Sequence, residues 1–228
     1  MKANIMDVNN RKIYKLILGK INEPNVGDKN LIFCKRGSTA VWTTNNSSEG
    51  ILDGLNRNES YETTGPLIRI RFFGGWINLS DMINDPNFVE KAYELGVPMG
   101  ETLKHKPANA SAPIFAVWAE KDPESLNLER IQIIKGWYAN GSAREQIYDV
   151  AKAEYAATAK ETGEAQLIAA WTDPDFIVGQ PALYYARVLE IPTLYLPDEG
   201  NEQLETPSPM IQERAWTSPI WYTPRPLR

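Results

Sequence analysis

From Ile114 onward the chain runs as short β-branched and aromatic segments separated by turn residues, with no long helical period, and this spacing constrains the fold more than any other feature. Ile114 to Ala119, Arg130 to Tyr138, Gln166 to Trp171, Leu183 to Ile191 and Pro219 to Thr223 are rich in Ile, Val, Trp and Tyr, and Pro, Gly, Asn and Asp punctuate the intervals. Such side chains fit a pleated, half-buried surface, so strands at this spacing are expected to pair antiparallel and pack as a sandwich. The Ala-rich stretch from Lys152 to Lys160 is the exception and reads as a helix or a long loop. A length of 228 residues with 43% hydrophobic side chains is enough to fill a sizeable core.

The first half is more mixed. Residues 1–37 read as weakly structured, with one apolar run around Ile13 to Leu18 and a turn-rich stretch from Asn22 to Asp28. Ser38 to Thr43 reads as a strand, and the polar cluster up to Ser48 supplies caps for a helix reaching about Arg57, with Ile51 and Leu55 four apart on one face. Tyr61 to Pro66 reads as a turn, and Leu67 to Phe72 alternates as a half-buried strand should. Asp85-Pro86 opens a short helix carrying Phe88, Ala92 and Tyr93, and Gly96 to Gly100 closes it. The expected class is mainly β with short helices, α+β overall. Residues 67–228 would form an antiparallel β-sandwich-like domain with a helical excursion at about 80–100, preceded by a strand–helix unit at 38–66.

Charge and composition remove several function classes. A formal net charge of −5 with no Lys/Arg run offers no positive field for nucleic acid or an anionic membrane surface. Asp7, Asn9, Asn10, Arg11 and Lys12 interrupt the opening stretch, which therefore reads as neither a signal h-region nor a membrane span, and the expectation is a cytoplasmic chain. Cys34 is the single cysteine, so neither an internal disulfide nor a multi-cysteine zinc site is expected.

A set of longer strings carries a family resemblance. Tyr61 to Pro66 leading into Arg69-Ile70-Arg71-Phe72-Phe73-Gly74-Gly75-Trp76, then Gly96 to Gly100, Ala116 to Glu124, Arg130 to Trp137, Tyr184 to Thr193 and Glu213 to Tyr222 resemble, in the same order, the bacterial family called domain of unknown function 3604. The resemblance covers roughly Ser38 to Pro224. It implies a longer parent protein whose N-terminal part looks like the metal-dependent phosphoesterase fold shared with polymerase-associated and histidinol-phosphate phosphatases. That fold gathers His-x-His and further His and Asp residues around its divalent metals, a donor set suited to clamping a phosphate ester and activating water. Only His105 is present here, in a loop rich in Lys and Pro. On this resemblance residues 38–66 would be a strand–helix remnant of the barrel, and the chain's partner would be the missing N-terminal barrel domain.

The residues that could carry chemistry are few. Asp173 and Asp175 place two carboxylates in one turn, where they could ligate a hard cation or simply start the turn; Glu120 and Asp122 flank a similar Asp-Pro turn. Arg69 and Arg71 share a strand face and could clamp a phosphate or carboxylate, or stand on a solvated face paired with an acid such as Glu62. Trp42, Trp118, Trp137, Trp171 and Trp221 alternate inside expected strands and read as core, which leaves Trp76 and Trp216 as candidates for an exposed stacking or interface surface. No catalytic residue, cofactor site or metal site is expected in this chain. The leading reading is a non-catalytic part supporting a metal-dependent hydrolase domain, and the alternative is a stand-alone binding module for carbohydrate or a protein partner. An apolar patch of Ala40, Val41, Trp42, Ile51 and Leu55 would favour the first, and exposed coplanar tryptophans the second. An independent hydrolase would need Glu120, Asp122, Asp173 and Asp175 in one pocket.

Overall fold

A computed structural model describes residues 12–16, 37–76, 79–154, 163–194 and 210–224, with the backbone alone at 12–16. Cys34 and most of the Ala-rich 152–160 stretch lie outside the described residues. In chain order the elements are β1 (Lys12–Leu16), β2 (Ser38–Thr43), α1 (Ser48–Asn56), β3 (Ser60–Thr63), β4 (Arg69–Gly75), a 3-10 turn (Ser80–Met82), α2 (Phe88–Leu95), β5 (Gly96–Pro98) and β6 (Ile114–Glu120). There follow β7 (Leu128–Ala139), β8 (Ser142–Lys152), β9 (Gln166–Thr172), β10 (Ala182–Glu190), β11 (Thr193–Leu194), β12 (Met210–Ile211), β13 (Arg214–Thr217) and β14 (Ile220–Tyr222).

The strands form two sheets and a small β11–β12 ribbon. The larger sheet runs β1-β2-β3-β13-β10-β7-β8 with β14 also on β10, and the smaller runs β5-β4-β6-β9. Every strand pair in them is antiparallel. The mainly β, antiparallel sandwich class therefore holds. Strand alternation sorts the residues: Ile70, Phe72, Phe115, Val117 and Leu167 of the smaller sheet meet Tyr61, Ile131, Ile133, Tyr184, Val188 and Ile220 of the larger in one core. Phe115 stacks on Phe72 and lies 4.3 Å from the Tyr184 ring, joining the two layers through their aromatic faces. A third layer covers the outer face of the smaller sheet, where Leu79, Met82, Phe88 and Ala92 bury Phe73 and Ala116.

Several local expectations are corrected. Ile51 and Leu55 of α1 are only half-buried, and the face pressed against β2 is Gly50 and Gly54. A Cβ at Gly54 would lie 2.5 Å from Val41 Cγ1 and 2.9 Å from the Trp42 carbonyl, so the missing side chain sets how closely helix and strand approach. The Tyr61 to Pro66 turn begins as β3, which pairs with both β2 and β13. Part of the apolar run near Ile13 is β1, paired with β2. β8 and β13 have no counterpart in the expected strands. β7 and β8 make a hairpin closed by Asn140 (φ 53°) and Gly141 (φ 76°), the left-handed pair a two-residue turn of this hand requires.

Candidate functional site

Antiparallel pairing lays Arg69 beside Glu120 and Arg71 beside Trp118 on the outer face of the smaller sheet, and Glu120 beside Gln166 across the next ladder. The Phe73 end of that face is covered by α2 and the 3-10 turn. The Arg69 end opens into a groove of about 480 Å3 lined by Trp42, Arg69, Arg71, Trp118, Glu120 and Gln166, with Phe88, Val89 and Ile168 among its apolar walls. β5 pairs with β4 only from Phe73 to Gly75. Upstream of that pairing Trp42 reaches across from the larger sheet and donates its indole N–H to the Ile70 carbonyl at 3.1 Å.

The two arginines do not form a free clamp, and neither stands on a solvated face beside Glu62. Arg71 is 2% exposed, with its guanidinium 3.2 Å from the Trp42 ring centroid. It donates to Tyr93 Oη at 2.9 Å and to Glu59 Oε1 at 3.4 Å. Tyr93 also donates to Glu59, and Arg57 approaches the other carboxylate oxygen at 3.3 Å. Glu59, itself buried, thus gathers two cations and a phenol, which satisfies the requirement that a buried charge be paired and hydrogen-bonded. Arg69 pairs with Glu120 and lies over Trp118. Glu59 and Tyr93 carried no signal along the sequence because they reach Arg71 from other elements.

Asp173 and Asp175 lie at the opposite end of the sandwich. Asp173 Oδ2 meets Lys135 Nζ at 2.6 Å and accepts from Tyr184 Oη at 2.7 Å, and Asp173 Oδ1 accepts the Asp175 N–H at 2.9 Å. The Lys135 ammonium also donates to the Asp175 carbonyl at 2.7 Å, while Tyr148 donates to the Asp175 carboxylate at 2.8 Å. A lysine therefore occupies the place a cation ligand reading would give to a metal. Burial pushes the Tyr184 phenol up, and the hydrogen bond to Asp173 adds to the shift, so it stays a neutral donor. Burial and Asp175 do the same to Tyr148.

The four carboxylates that an independent hydrolase would need in one pocket are scattered. Glu120 and Thr172, the neighbour of Asp173, stand at opposite ends of the β6–β9 ladder, about 20 Å apart at the usual strand rise. Asp122 is used locally, accepting from the Leu67 and Glu124 N–H groups at 2.6 and 3.0 Å. Among the described residues no three His, Cys, Asp or Glu side chains gather where they could hold a metal ion. His105 lies exposed in an irregular stretch.

The tryptophans also depart from expectation. Trp76 is buried at 9% exposure, donates to the Lys104 carbonyl at 2.7 Å and packs edge-on against Phe176 and Tyr222, so it offers no open stacking face. Trp221, expected in the core, is 46% exposed, because Leu183 opposite it points away from the sandwich interior. Trp216 is half-buried beneath Arg214. Ala40, Val41 and Trp42 are buried and form no open apolar patch.

A buried acid missed along the sequence is Glu190, at the end of β10. It is 0% exposed; Ser125 donates to Oε2 at 2.7 Å, and Oε1 has no hydrogen-bond partner among the described residues. Burial pushes its carboxyl up to about 7, with Glu213 and Asp122 adding to the shift while Ser125 and Lys121 oppose it.

The fold and these closed charge clusters define an antiparallel two-sheet sandwich with one helix-covered outer face and a groove beside it. A family model described as "Protein of unknown function (DUF3604)" matches residues 20–162 and 152–224, and the chain belongs to that family. No curated protein and no solved structure matches the chain. No helix among the described residues is long and apolar enough to cross a membrane.

Proposed function

We propose that this chain serves as a non-catalytic β-rich unit supporting a metal-dependent phosphoesterase domain, the activity that the family resemblance implies for longer relatives. The observation that carries this reading is internal neutralisation. Lys135 engages Asp173, and Glu59 engages Arg71, so the strongest candidate ligands are already committed to the chain's own counter-ions. A hydrolytic metal centre needs carboxylates and imidazoles open toward substrate, and these carboxylates face lysine, arginine and phenols instead. The groove over β4, β6 and β9 gives the unit a surface for recognition beside its packing role.

The test measures bound transition metal and p-nitrophenyl phosphate turnover for the purified chain, beside a longer family member that carries the barrel. The expected outcome is metal and turnover in the longer protein alone. Stoichiometric metal and turnover in the present chain would overturn the proposal.

A further inference from the structure

We propose that the groove on the outer face of the smaller sheet is a binding site for a neutral saccharide. Three properties of its walls lead there. The first is size: about 480 Å3 falls within the range of small-ligand clefts and suits a mono- or disaccharide.

The second is charge. Three charged walls of the groove have partners within the chain: Arg69 with Glu120, Arg71 with Glu59, and Asp85 with Lys91. A phosphate or carboxylate ligand would have to draw a guanidinium away from its glutamate and strand that acid, and Glu59 is buried. A balanced groove of this kind favours an uncharged ligand.

The third is the division of polar and apolar surface. Ile168, Ile83, Phe88 and Val89 supply apolar wall, and Trp118 adds a half-buried ring over which the Arg69 guanidinium lies at 5.9 Å from the centroid. Gln166 and Asn84 line the same groove, both exposed, and among the described residues neither side chain makes a hydrogen bond within the protein. Each amide offers a donor and an acceptor, and Glu120 and Arg69 add an acceptor and donors beside them. A sugar ring matches this division, since it carries an apolar C–H face for the apolar wall and hydroxyls, each donor and acceptor, for the polar groups beside it. A planar base edge also carries donors and acceptors that an Asn or Gln amide can meet, so adenosine is the comparator that tests the choice of ligand.

The experiment is a titration followed by 1H–15N NMR, with methyl β-glucoside, cellobiose, maltose and xylobiose as probes and adenosine and inorganic phosphate as comparators. At least one saccharide is expected to bind saturably with Kd on the order of 1 mM, moving the Trp118 and Trp42 indole N–H signals and leaving the distant Trp221 signal in place. Gln166→Ala and Asn84→Ala change exposed side chains, so the fold is retained, and each is expected to weaken binding by about five- to tenfold. Three results would overturn the proposal: no saturable shift with any saccharide, tighter binding of adenosine or phosphate than of every saccharide, or saccharide binding that both alanine variants leave unchanged.

Discussion

Replacing Glu190 by Gln should remove a pH dependence of stability that burial of the acid creates. The carboxyl has an ordinary value of 4.5 and stands at about 7 in the folded chain, where desolvation is the largest cause. A folded value raised above the unfolded one means that the native state holds the proton more tightly. The resulting stability is fully present below about 4.5 and is lost as pH rises through about 7. At about 1.4 kcal/mol per tenfold change, the interval corresponds to a loss of about 3 kcal/mol. Glutamine mimics the protonated acid in shape and still accepts from Ser125. The native chain should therefore lose about 3 kcal/mol more than Glu190→Gln between pH 4.5 and 8, read by guanidinium denaturation followed through tryptophan fluorescence. The effect should centre on the join between the Asp122–Asn127 loop and β10, because the Ile191 N–H donates to the Asn127 carbonyl and the Glu190 N–H to the Glu213 carbonyl. Parallel stability profiles for the two proteins would refute the reasoning, since they would mean that Glu190 is ionised and solvated in the folded state.

Other perturbations test the closed charge clusters and the helix contact. Arg71→Met removes the buried one of the two cations that face Glu59, leaving Arg57 and Tyr93, and should cost about 3–5 kcal/mol by denaturant titration, with Glu59→Gln in the same chain recovering part of the loss. Lys135→Met and Asp173→Asn should each destabilise, and a double-mutant cycle should return a coupling energy of about 1–3 kcal/mol; additive effects would show that the pair is not coupled. Gly54→Ala puts a methyl against Val41 and the Trp42 carbonyl and should lower stability by about 1–3 kcal/mol, visible as a fall in Tm.

The strands that could be read along the sequence are those whose own residues carry the pattern. β6, β7, β9 and β10 combine β-branched and aromatic side chains with flanking turns, and they pair as the β7–β10 ladder of the larger sheet and the β6–β9 ladder of the smaller. β8 escaped because its run of Arg144, Glu145, Gln146 and Asp149 is that of an exposed edge strand, whose partner is specified by the long β7 beside it. The Asn140-Gly141 turn was the one local cue to that hairpin. β13 is shorter still, at 4 residues, and lies between β3 and β10, strands distant from it in sequence.

The candidate site divides along the same physical line. Alternation placed Arg69 and Arg71 on one face, and it did so correctly, because a period of two is a local property of the strand. What each arginine meets there is a matter of register and of the third layer. Glu120 reaches Arg69 because β6 pairs in one register, which a slip of a single residue would replace with a side chain on the opposite face. Glu59, Trp42 and Tyr93 reach Arg71 from the stretch before β3, from the other sheet and from α2, at separations of 12, 29 and 22 residues that no local pattern encodes. The same limit hid Lys135 from Asp173, and in each case the chemistry implied by isolated residues changed once the partner was present. An arginine pair that reads as an anion clamp becomes, with its two glutamates, a neutral wall, and that neutrality is what directs the groove toward an uncharged ligand.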